Sequence, residues 1–223
     1  MKKVLAIDLD DTLFSELDYV KSGFTKVAEQ IAFRNSHSVG DVLNQILYQF
    51  LKYGRAGVFN RTMSHFGFSA PDINELVETY RTHDPAIVLF NDVPDALEKL
   101  NTKFRVIVVT DGFAPVQRRK IKALGLDAMV EKVVYCMDYN SPKPSPVPYL
   151  TAANELAFNI KDMIILGDDP YCDMRAATNL GIPSYRVMTG KYTMVKSLPR
   201  AMPKMEFDSI KMATKYLMVN DDE

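Results

Sequence analysis

Three aspartates directly follow the first apolar run of the chain. Residues 4–7 are Val-Leu-Ala-Ile, and Asp8, Asp10 and Asp11 come immediately after them. An apolar run this short is typical of a strand that is buried on both faces of a parallel sheet. Carboxylates at the end of such a strand suit a binding site, because parallel α/β sheets bind ligands beyond the carboxyl ends of their strands. Asp8 and Asp10 are two residues apart, so a strand would direct both side chains to the same side.

Three further polar clusters lie at predicted strand ends or in a nearby loop. They are Thr110-Asp111-Gly112, Asp168-Asp169 with Asp173, and Lys143 in the loop 140–146, which contains three prolines. In a parallel sheet, strand ends of this kind share one edge, so we expect these groups to meet Asp8 and Asp10 there.

The predicted cluster of carboxylates requires a cation. Two carboxylates about 4 Å apart repel each other by roughly 4 kcal/mol at an effective dielectric constant of about 20. Asp8, Asp10 and the pair at 168–169 could not all stay ionised, and Lys143 supplies only one positive charge. Ligands that are all oxygen select a hard ion, so we expect Mg²⁺ as the cofactor.

The same groups predict phosphoryl chemistry. A carboxylate beside Mg²⁺ and Lys143 is a usable nucleophile for phosphorus, and aspartyl-phosphates are a known form of covalent catalysis. Thr110 and the amides of Asp111 and Gly112 would lie at a helix N-terminus, which binds anions.

The order of predicted elements gives the fold class. Helical spacing of apolar residues predicts helices at about 15–34, 38–53, 58–66 and 69–80, with no strand between them. Beyond residue 84, strands at 105–110, 132–136, 163–166 and 184–187 alternate with helices at about 94–100, 115–124, 149–156 and 173–180. Residues 189–206 are predicted to be irregular, before a last helix at 209–218. This alternation predicts an α/β fold with a Rossmann-like, three-layer parallel-sheet core and an inserted all-helical cap.

The polar clusters also resemble a known family. Asp8-Leu9-Asp10-Asp11-Thr12 resembles the first motif of the haloacid dehalogenase superfamily. The other three motifs follow in order, as Thr110, Lys143 before a proline, and Gly167-Asp168-Asp169 with Asp173. Asp10 favours the phosphatase branch, because the dehalogenating members lack this second aspartate.

The resemblance implies a role for each motif. Asp8 would attack the phosphoryl group, and Asp10 would be the general acid and then the base. Thr110 and Lys143 would hold the phosphoryl group. The resemblance assigns the metal to Asp8, the backbone carbonyl of Asp10, Asp168, and either Asp169 or Asp173. Asp173 as a helix cap is an equal alternative, and Asp11 is expected to be structural.

The resemblance also implies a division into domains. Residues 1–14 and 84–223 would form the catalytic core, and 15–83 would be a type 1 (C1) cap of the four-helix-bundle kind. The cap would select the substrate, and Arg55, Arg81 and His83 are candidate substrate contacts. Taken alone, each of these residues is more often an ordinary surface charge than a substrate contact.

Bulk composition excludes several classes of function. The 223 residues include 27 Lys and Arg against 28 Asp and Glu, a net charge of −1, which gives no electrostatic case for nucleic acid or an anionic membrane. No apolar stretch approaches the roughly 20 residues of a membrane span. The two cysteines, Cys136 and Cys172, have no metal-ligand spacing, and they favour a cytoplasmic location.

The sequence therefore predicts a Mg²⁺-dependent phosphatase that acts on a small phosphorylated metabolite, such as a sugar phosphate or a nucleoside monophosphate. A phosphotransferase or phosphomutase with the same site is one alternative, and a non-catalytic binding protein that retains the fold is another. Either a monomer or a homodimer is expected.

Overall fold

The computed structural model describes residues 2–68 and 72–220, which form two compact units. Residues up to Glu16 and from Val88 onward make up the first unit, and Leu17–Ile87 make up the second. None of the described helices is long and apolar enough to cross a membrane.

The first unit is built on a parallel sheet. Its strands are β1 (Val4–Ile7), β2 (Arg105–Thr110), β3 (Lys132–Tyr135), β4 (Met163–Gly167), β5 (Ser184–Val187) and β6 (Met205–Phe207). They are hydrogen-bonded in the order β3-β2-β1-β4-β5-β6, and every neighbouring pair is parallel. This arrangement confirms the predicted fold class. It places β1 between β2 and β4, so the polar residues that follow these three strands come together.

Helices flank the sheet and also build the second unit. The helices of the first unit are α5 (Val93–Lys103), α6 (Ala114–Leu124), α7 (Val147–Glu155), α8 (Asp173–Leu180) and α9 (Ile210–Asn220). Those that precede them in the chain are α1 (Glu16–Asn35), α2 (Val39–Tyr53), α3 (Val58–Phe66) and α4 (Ile73–Thr82). The predicted start of the fourth helix at 69–71 lies outside the described residues.

Strand β1 is covered on both of its faces. Val4 and Ala6 pack in one apolar cluster with Tyr149 of α7 and with Ala176 and Ala177 of α8. Their neighbours Leu5 and Ile7 point to the opposite face, and both are fully buried. Burial on both faces explains why this strand is a continuous apolar run rather than an alternating one.

The sixth strand corrects the prediction that residues 189–206 are irregular. Strand β6 pairs with β5 in the register Tyr185–Met205 and Val187–Phe207. It is a three-residue edge strand close to Pro203, which is too short to produce a recognisable alternation. The edge strand on the opposite side of the sheet is β3, and it ends before Cys136. Cys136 was predicted to end this strand, but it begins a short 3₁₀ turn.

The second unit has its own apolar core. Val20, Phe24 and Val27 of α1 pack with Ile46 of α2 and Leu76 of α4, and all five are at most 1% exposed. The regular spacing of these residues gives each helix a single apolar face, which is buried when the helices pack together. The role of this unit as a cap stays a prediction.

Replacing Leu76 with alanine should destabilise the second unit. The side chain is fully buried, so Leu76→Ala should lower the free energy of unfolding by about 2–5 kcal/mol through lost contacts and an incompletely filled cavity. The matched control is Leu51→Ala in α2, whose leucine is 77% exposed and should change stability by less than about 0.5 kcal/mol. Urea unfolding followed by far-ultraviolet circular dichroism measures both. Equal losses would contradict the described core.

Candidate active site

The carboxyl ends of three adjacent strands bring the predicted residues together. Asp8 follows β1, Thr110 ends β2 and Asp168 follows β4. The register aligns Ile7 with both Val108 and Leu166, and the Asp8 amide donates to Leu166 O at 2.9 Å. The sheet order therefore places Asp8 at one edge with two residues that follow it by more than 100 positions in the sequence.

Lys143 is at the centre of this edge. Its Nζ donates to Asp8 Oδ1 at 2.5 Å, to Asp173 Oδ1 at 2.7 Å and to Val109 O at 3.2 Å. These contacts match the three N–H bonds of an ammonium group. Burial alone would lower the pKa of Lys143, but Asp173 and Asp8 raise it well above its ordinary value. The lysine is therefore held as a cation between two carboxylates.

The loop of Lys143 is fixed by the end of β2. Asp111 Oδ2 accepts a hydrogen bond from the backbone N–H of Lys143 at 2.9 Å. Within the loop, the hydroxyl oxygens of Ser141 and Ser145 are 2.7 Å apart. Binding of phosphate by the Asp111 amide stays a prediction, whereas the Asp111 side chain positions Lys143.

Three buried carboxylates form a candidate cation site. Asp8, Asp168 and Asp173 each offer an oxygen, and these oxygens lie within 4.8 Å of one another. Burial raises the pKa of all three, and repulsion from Asp8 and Asp173 raises that of Asp168 further. Asp168 Oδ2 is buried without a hydrogen-bond partner among the described residues. A hard cation would satisfy this oxygen and relieve the repulsion, so the donor set fits Mg²⁺.

Thr12 connects two of these carboxylates. Its Oγ1 lies 3.3 Å from Asp168 Oδ1 and 3.5 Å from Asp8 Oδ2. Since the hydroxyl is fully buried, it helps to fix the spacing of the two acids.

The structure gives different contacts to Asp169 and Asp173, the two alternative metal ligands of the sequence analysis. Asp169 Oδ1 accepts from the amides of Tyr171 at 2.7 Å and Cys172 at 3.2 Å, so it holds the loop before α8. Asp173 belongs to the buried triad, and its Oδ2 accepts from the Asp169 amide at 3.2 Å. Cys172 is the residue at the N-cap of α8. Of the two, Asp173 is the one that the fold places beside Asp8.

Asp10 is held by two side chains that the prediction of the site did not include. Lys120 Nζ lies 2.6 Å from Asp10 Oδ1, and Gln117 Nε2 lies 2.7 Å from Asp10 Oδ2. Gln117 Nε2 also lies 2.5 Å from Thr110 Oγ1.

The sequence of α6 contains a signal for these two residues. Gln117, Lys120, Ile121 and Leu124 follow the i, i+3, i+4, i+7 spacing of a single helix face, and all four are buried. Two polar residues on the buried face of a helix require polar partners. The spacing of these residues in the sequence therefore indicates that Gln117 and Lys120 contact other buried polar groups, such as those of the site.

Asp11 fastens a loop of the first unit to the first motif. Its φ is 58°, its Oδ1 accepts from the Glu16 amide at 2.9 Å, and its Oδ2 accepts from the Lys191 amide at 3.2 Å. Its backbone carbonyl accepts from Thr189 Oγ1. Lys191 Nζ in turn lies 2.9 Å from Glu16 Oε2. These contacts agree with a structural role for Asp11.

Arg186 holds the same loop from the sheet side. This guanidinium on β5 is fully buried, and its Nε donates to Asp168 O at 2.9 Å. Its terminal nitrogens donate to Tyr192 O at 2.7 Å, Val195 O at 2.8 Å and Ser197 Oγ at 3.0 Å. One side chain therefore fixes both the backbone of the fourth motif and the loop after β5. A lone arginine in a short strand gives no sequence signal for this role.

A partly open cavity of about 220 Å³ lies at this edge of the sheet. The predicted residues that line it are Asp8, Asp10, Asp111, Gly112, Lys143, Asp168, Asp169 and Asp173. The lining residues that were not predicted are Glu16, Cys172, Lys191 and Tyr192. The cavity therefore collects most of the candidate residues of the four motifs. Thr110 does not line the cavity, and Gln117 joins it to the lining residue Asp10 by hydrogen bonds.

The candidate substrate contacts lie in the second unit. Arg55 and Arg81 are exposed there. His83 is buried, with Nδ1 2.7 Å from Tyr80 O and its ring against Tyr19. Contact of these three residues with a substrate stays a prediction.

Comparison with known proteins identifies relatives over most of the chain. The sequence model of the haloacid dehalogenase-like hydrolase family matches residues 5–187. A glyceraldehyde 3-phosphate phosphatase of Methanopyrus kandleri is 26% identical over 206 residues, which cover 86% of each protein. A phosphoglycolate phosphatase of Aquifex aeolicus is 21% identical over 222 residues, covering 97% of this chain and 99% of the relative.

Solved structures share the fold. The hydrolase YfnB from Bacillus subtilis, bound to magnesium, has a TM-score of 0.71 at 18% identity and covers 98% of this chain and 99% of that chain. A haloacid dehalogenase-like phosphatase from Thermococcus onnurineus has a TM-score of 0.64 at 22% identity, covering 97% of this chain and 98% of that one.

The contact between Asp11 and its loop can be tested at Gly190. A Cβ at this position would overlap the Asp11 side chain, and the φ of Gly190 is +64°. Gly125 has a φ of +65° with nothing within 4 Å of an added Cβ, so Gly125→Ala isolates the backbone cost of about 1–2 kcal/mol. We expect Gly190→Ala to lose about 1–3 kcal/mol more in free energy of unfolding, because the loop must move. Equal losses in urea unfolding would refute this close contact.

Proposed function

Because the chain belongs to the haloacid dehalogenase-like hydrolases, we propose that it is a Mg²⁺-dependent phosphatase acting through an aspartyl-phosphate on Asp8. The observation that carries the proposal is the Asp8 Oδ1 to Lys143 Nζ contact of 2.5 Å, beside the unpartnered Asp168 Oδ2. A buried carboxylate fixed by an ammonium group on one oxygen is oriented for attack on an electrophile, and phosphorus is the electrophile that aspartate nucleophiles serve in this way.

In the first half of the reaction, an oxygen of Asp8 forms a bond to phosphorus. The bond between phosphorus and the leaving oxygen breaks, and the protonated carboxyl group of Asp10 donates its proton to that oxygen. The product then leaves as an alcohol. Asp10 lies in the same cavity as Asp8, two residues later in the chain, as this transfer requires.

In the second half, a water molecule attacks the phosphorus of the aspartyl-phosphate. The Asp10 carboxylate accepts the proton of the water as the new P–O bond forms. The bond between phosphorus and the Asp8 oxygen breaks, which releases inorganic phosphate and restores both aspartates to their starting forms. Asp10 therefore regains the proton that it lost in the first half.

The phosphoryl group would be held by groups from two motifs. Lys143 balances the negative charge that Asp8 and the phosphoryl group bring together. The hydroxyl of Thr110 and the amides of Asp111 and Gly112 lie just before α6, an eleven-residue helix whose N-terminus favours an anion. Positioning and charge balance supply most of the catalysis in phosphoryl transfer.

The residues that would hold Mg²⁺ are Asp8, the backbone carbonyl of Asp10, and Asp168, with Asp173 beside them. The unpartnered Asp168 Oδ2 and the raised pKa values of the triad support this assignment. When bound, the ion would neutralise the carboxylates and polarise the phosphoryl oxygens. The chain itself supplies the nucleophile, the proton carrier and the anchoring lysine.

A small phosphorylated metabolite is the proposed substrate. The relatives are named for the phosphates of glyceraldehyde and glycolate, and the cavity of about 220 Å³ is lined largely by charged and polar groups. We propose that the helical unit, Leu17–Ile87, is the cap that selects among sugar phosphates, nucleoside monophosphates and shorter phosphoacids. Closure of such a unit would exclude water during transfer.

A metabolite screen tests the proposal, with Asp8→Asn as its control. Phosphate release from a panel of phosphomonoesters should require Mg²⁺ and stop with a chelator. Asp8→Asn removes the nucleophile and should lower phosphate release by at least about 10³-fold, while circular dichroism stays unchanged. Activity retained in this variant would remove Asp8 as the nucleophile. Failure of the parent protein on the whole panel would reject the phosphatase function.

Magnesium binding should depend on pH. Burial, with added repulsion from Asp173, raises the pKa of both Asp8 and Asp168, so both hold protons more firmly than ordinary aspartates. Because Mg²⁺ binds the ionised forms, its affinity should fall as the pH falls, about tenfold per pH unit for each proton displaced. Calorimetry in two buffers of different ionisation enthalpy counts the released protons. Asp168→Asn should reduce that number, and unchanged proton release would contradict the assignment.

A further inference from the structure

Two buried side chains of α6 contact the residues that would move the proton and hold the phosphoryl group. We propose that Gln117 and Lys120 are positioning residues, which aim the Asp10 carboxyl group at the leaving oxygen and the Thr110 hydroxyl at the phosphoryl group. The inference rests on the proposed phosphatase function and assigns two residues beyond its four motifs.

Lys120 ties Asp10 to the helix. Its Nζ lies 2.6 Å from Asp10 Oδ1, and its side chain is 5% exposed against 22% for Asp10. The ammonium group lies 5.7 Å from the centre of the Phe14 ring, which is itself fully buried. A cation this far from water needs a strong acceptor, and the carboxylate provides one. The contact therefore fixes where Asp10 Oδ1 lies.

Gln117 bridges Asp10 and Thr110 through a single nitrogen. Nε2 lies 2.7 Å from Asp10 Oδ2 and 2.5 Å from Thr110 Oγ1. The N–H₂ group of the amide faces both oxygens, and Asp10 Oδ2 can accept there through a lone pair whether or not the carboxyl group carries a proton. Each of its two N–H bonds then has one acceptor. Gln117 is 1% exposed, so water does not compete for these bonds.

The bridge determines what the Thr110 hydroxyl can do. Since Thr110 Oγ1 accepts a hydrogen bond from Gln117, its own proton remains available for donation to another group. The hydroxyl ends β2 at the edge that carries Asp8, where the phosphoryl group would be held. Gln117 therefore orients Thr110 as a donor, which is the role that a phosphoryl oxygen needs.

The spacing of the pair fits a common task. Gln117 and Lys120 are three residues apart on α6, so both face the same way, and they bind the two different oxygens of Asp10. A carboxyl group held at both oxygens cannot rotate freely about its last bond. Precise placement of a proton donor contributes strongly to catalysis, so its loss should be visible in the rate.

The leaving group distinguishes positioning of a proton donor from a purely structural role. An alkyl phosphomonoester expels a poor leaving group that needs a proton, whereas 4-nitrophenyl phosphate expels an acidic phenol that needs little help. We would measure kcat/KM with Mg²⁺ for both substrates in the full-length protein and in Lys120→Met, Lys120→Arg and Gln117→Glu. Lys122→Met, an exposed lysine on the same helix, is the matched control.

Lys120→Met should lower kcat/KM for the alkyl substrate by about 100-fold and for 4-nitrophenyl phosphate by less than about 10-fold. Lys120→Arg keeps the charge and should recover most of the alkyl activity. Gln117→Glu repels Asp10 and offers Thr110 an acceptor, so the hydroxyl proton turns away from the phosphoryl group. Both substrates should then slow by about 100-fold or more. Lys122→Met should match the parent protein.

Several results would overturn the inference. Equal losses on both substrates in Lys120→Met, without rescue by arginine, would reduce Lys120 to a structural residue. Unchanged rates in Gln117→Glu would exclude the bridge to Thr110. Melting temperatures and circular dichroism of each variant separate these outcomes from misfolding, and Lys120→Arg keeps the test valid if Lys120→Met does not fold. A parent protein that releases no phosphate from these two substrates or from any phosphomonoester of the panel would instead reject the phosphatase function, and the inference with it.

Discussion

Burial of several like charges at one sheet edge is the constraint on which the rest of the site depends. One carboxylate oxygen each of Asp8, Asp168 and Asp173 lies within 4.8 Å of the other two, and all three residues are buried. This arrangement costs free energy unless cations are near. Lys143 offsets part of that cost by contact with two of the three acids. The remaining negative charge is what favours the hard cation and the phosphate chemistry that we propose for the cluster.

Much of the surrounding structure serves to hold this cluster. Asp111 fixes the loop of Lys143, Arg186 fixes the backbone of Asp168, and Asp11 attaches the loop after β5 to the first motif. Each of these contacts joins segments that are distant in sequence. These hydrogen bonds hold the charged groups in defined positions, which is what preorganised catalysis requires.

Helix α6 adds a second layer to the site. Gln117 and Lys120 present polar groups on a face that would otherwise be apolar, and they meet Asp10 and Thr110. The helix whose N-terminus we propose for the phosphoryl group thus also supplies the contacts that we propose to position Asp10. Family membership is confirmed by the match over residues 5–187, while the identities of 21–26% leave the choice of substrate to the residues particular to this chain.

The sequence alone determined the fold class, the first five strands and the chemical character of the site. Apolar runs that end in carboxylates predict buried strands and a ligand edge, and those patterns are local. The tertiary structure decided which side chains meet: Lys143 with Asp173, Gln117 with both Asp10 and Thr110, and Arg186 with Asp168. It also revealed the edge strand β6, whose three residues are too few to show the alternation of apolar and polar side chains that predicts a strand. These features depend on strand order and on contacts across as many as 107 positions, which local patterns do not specify.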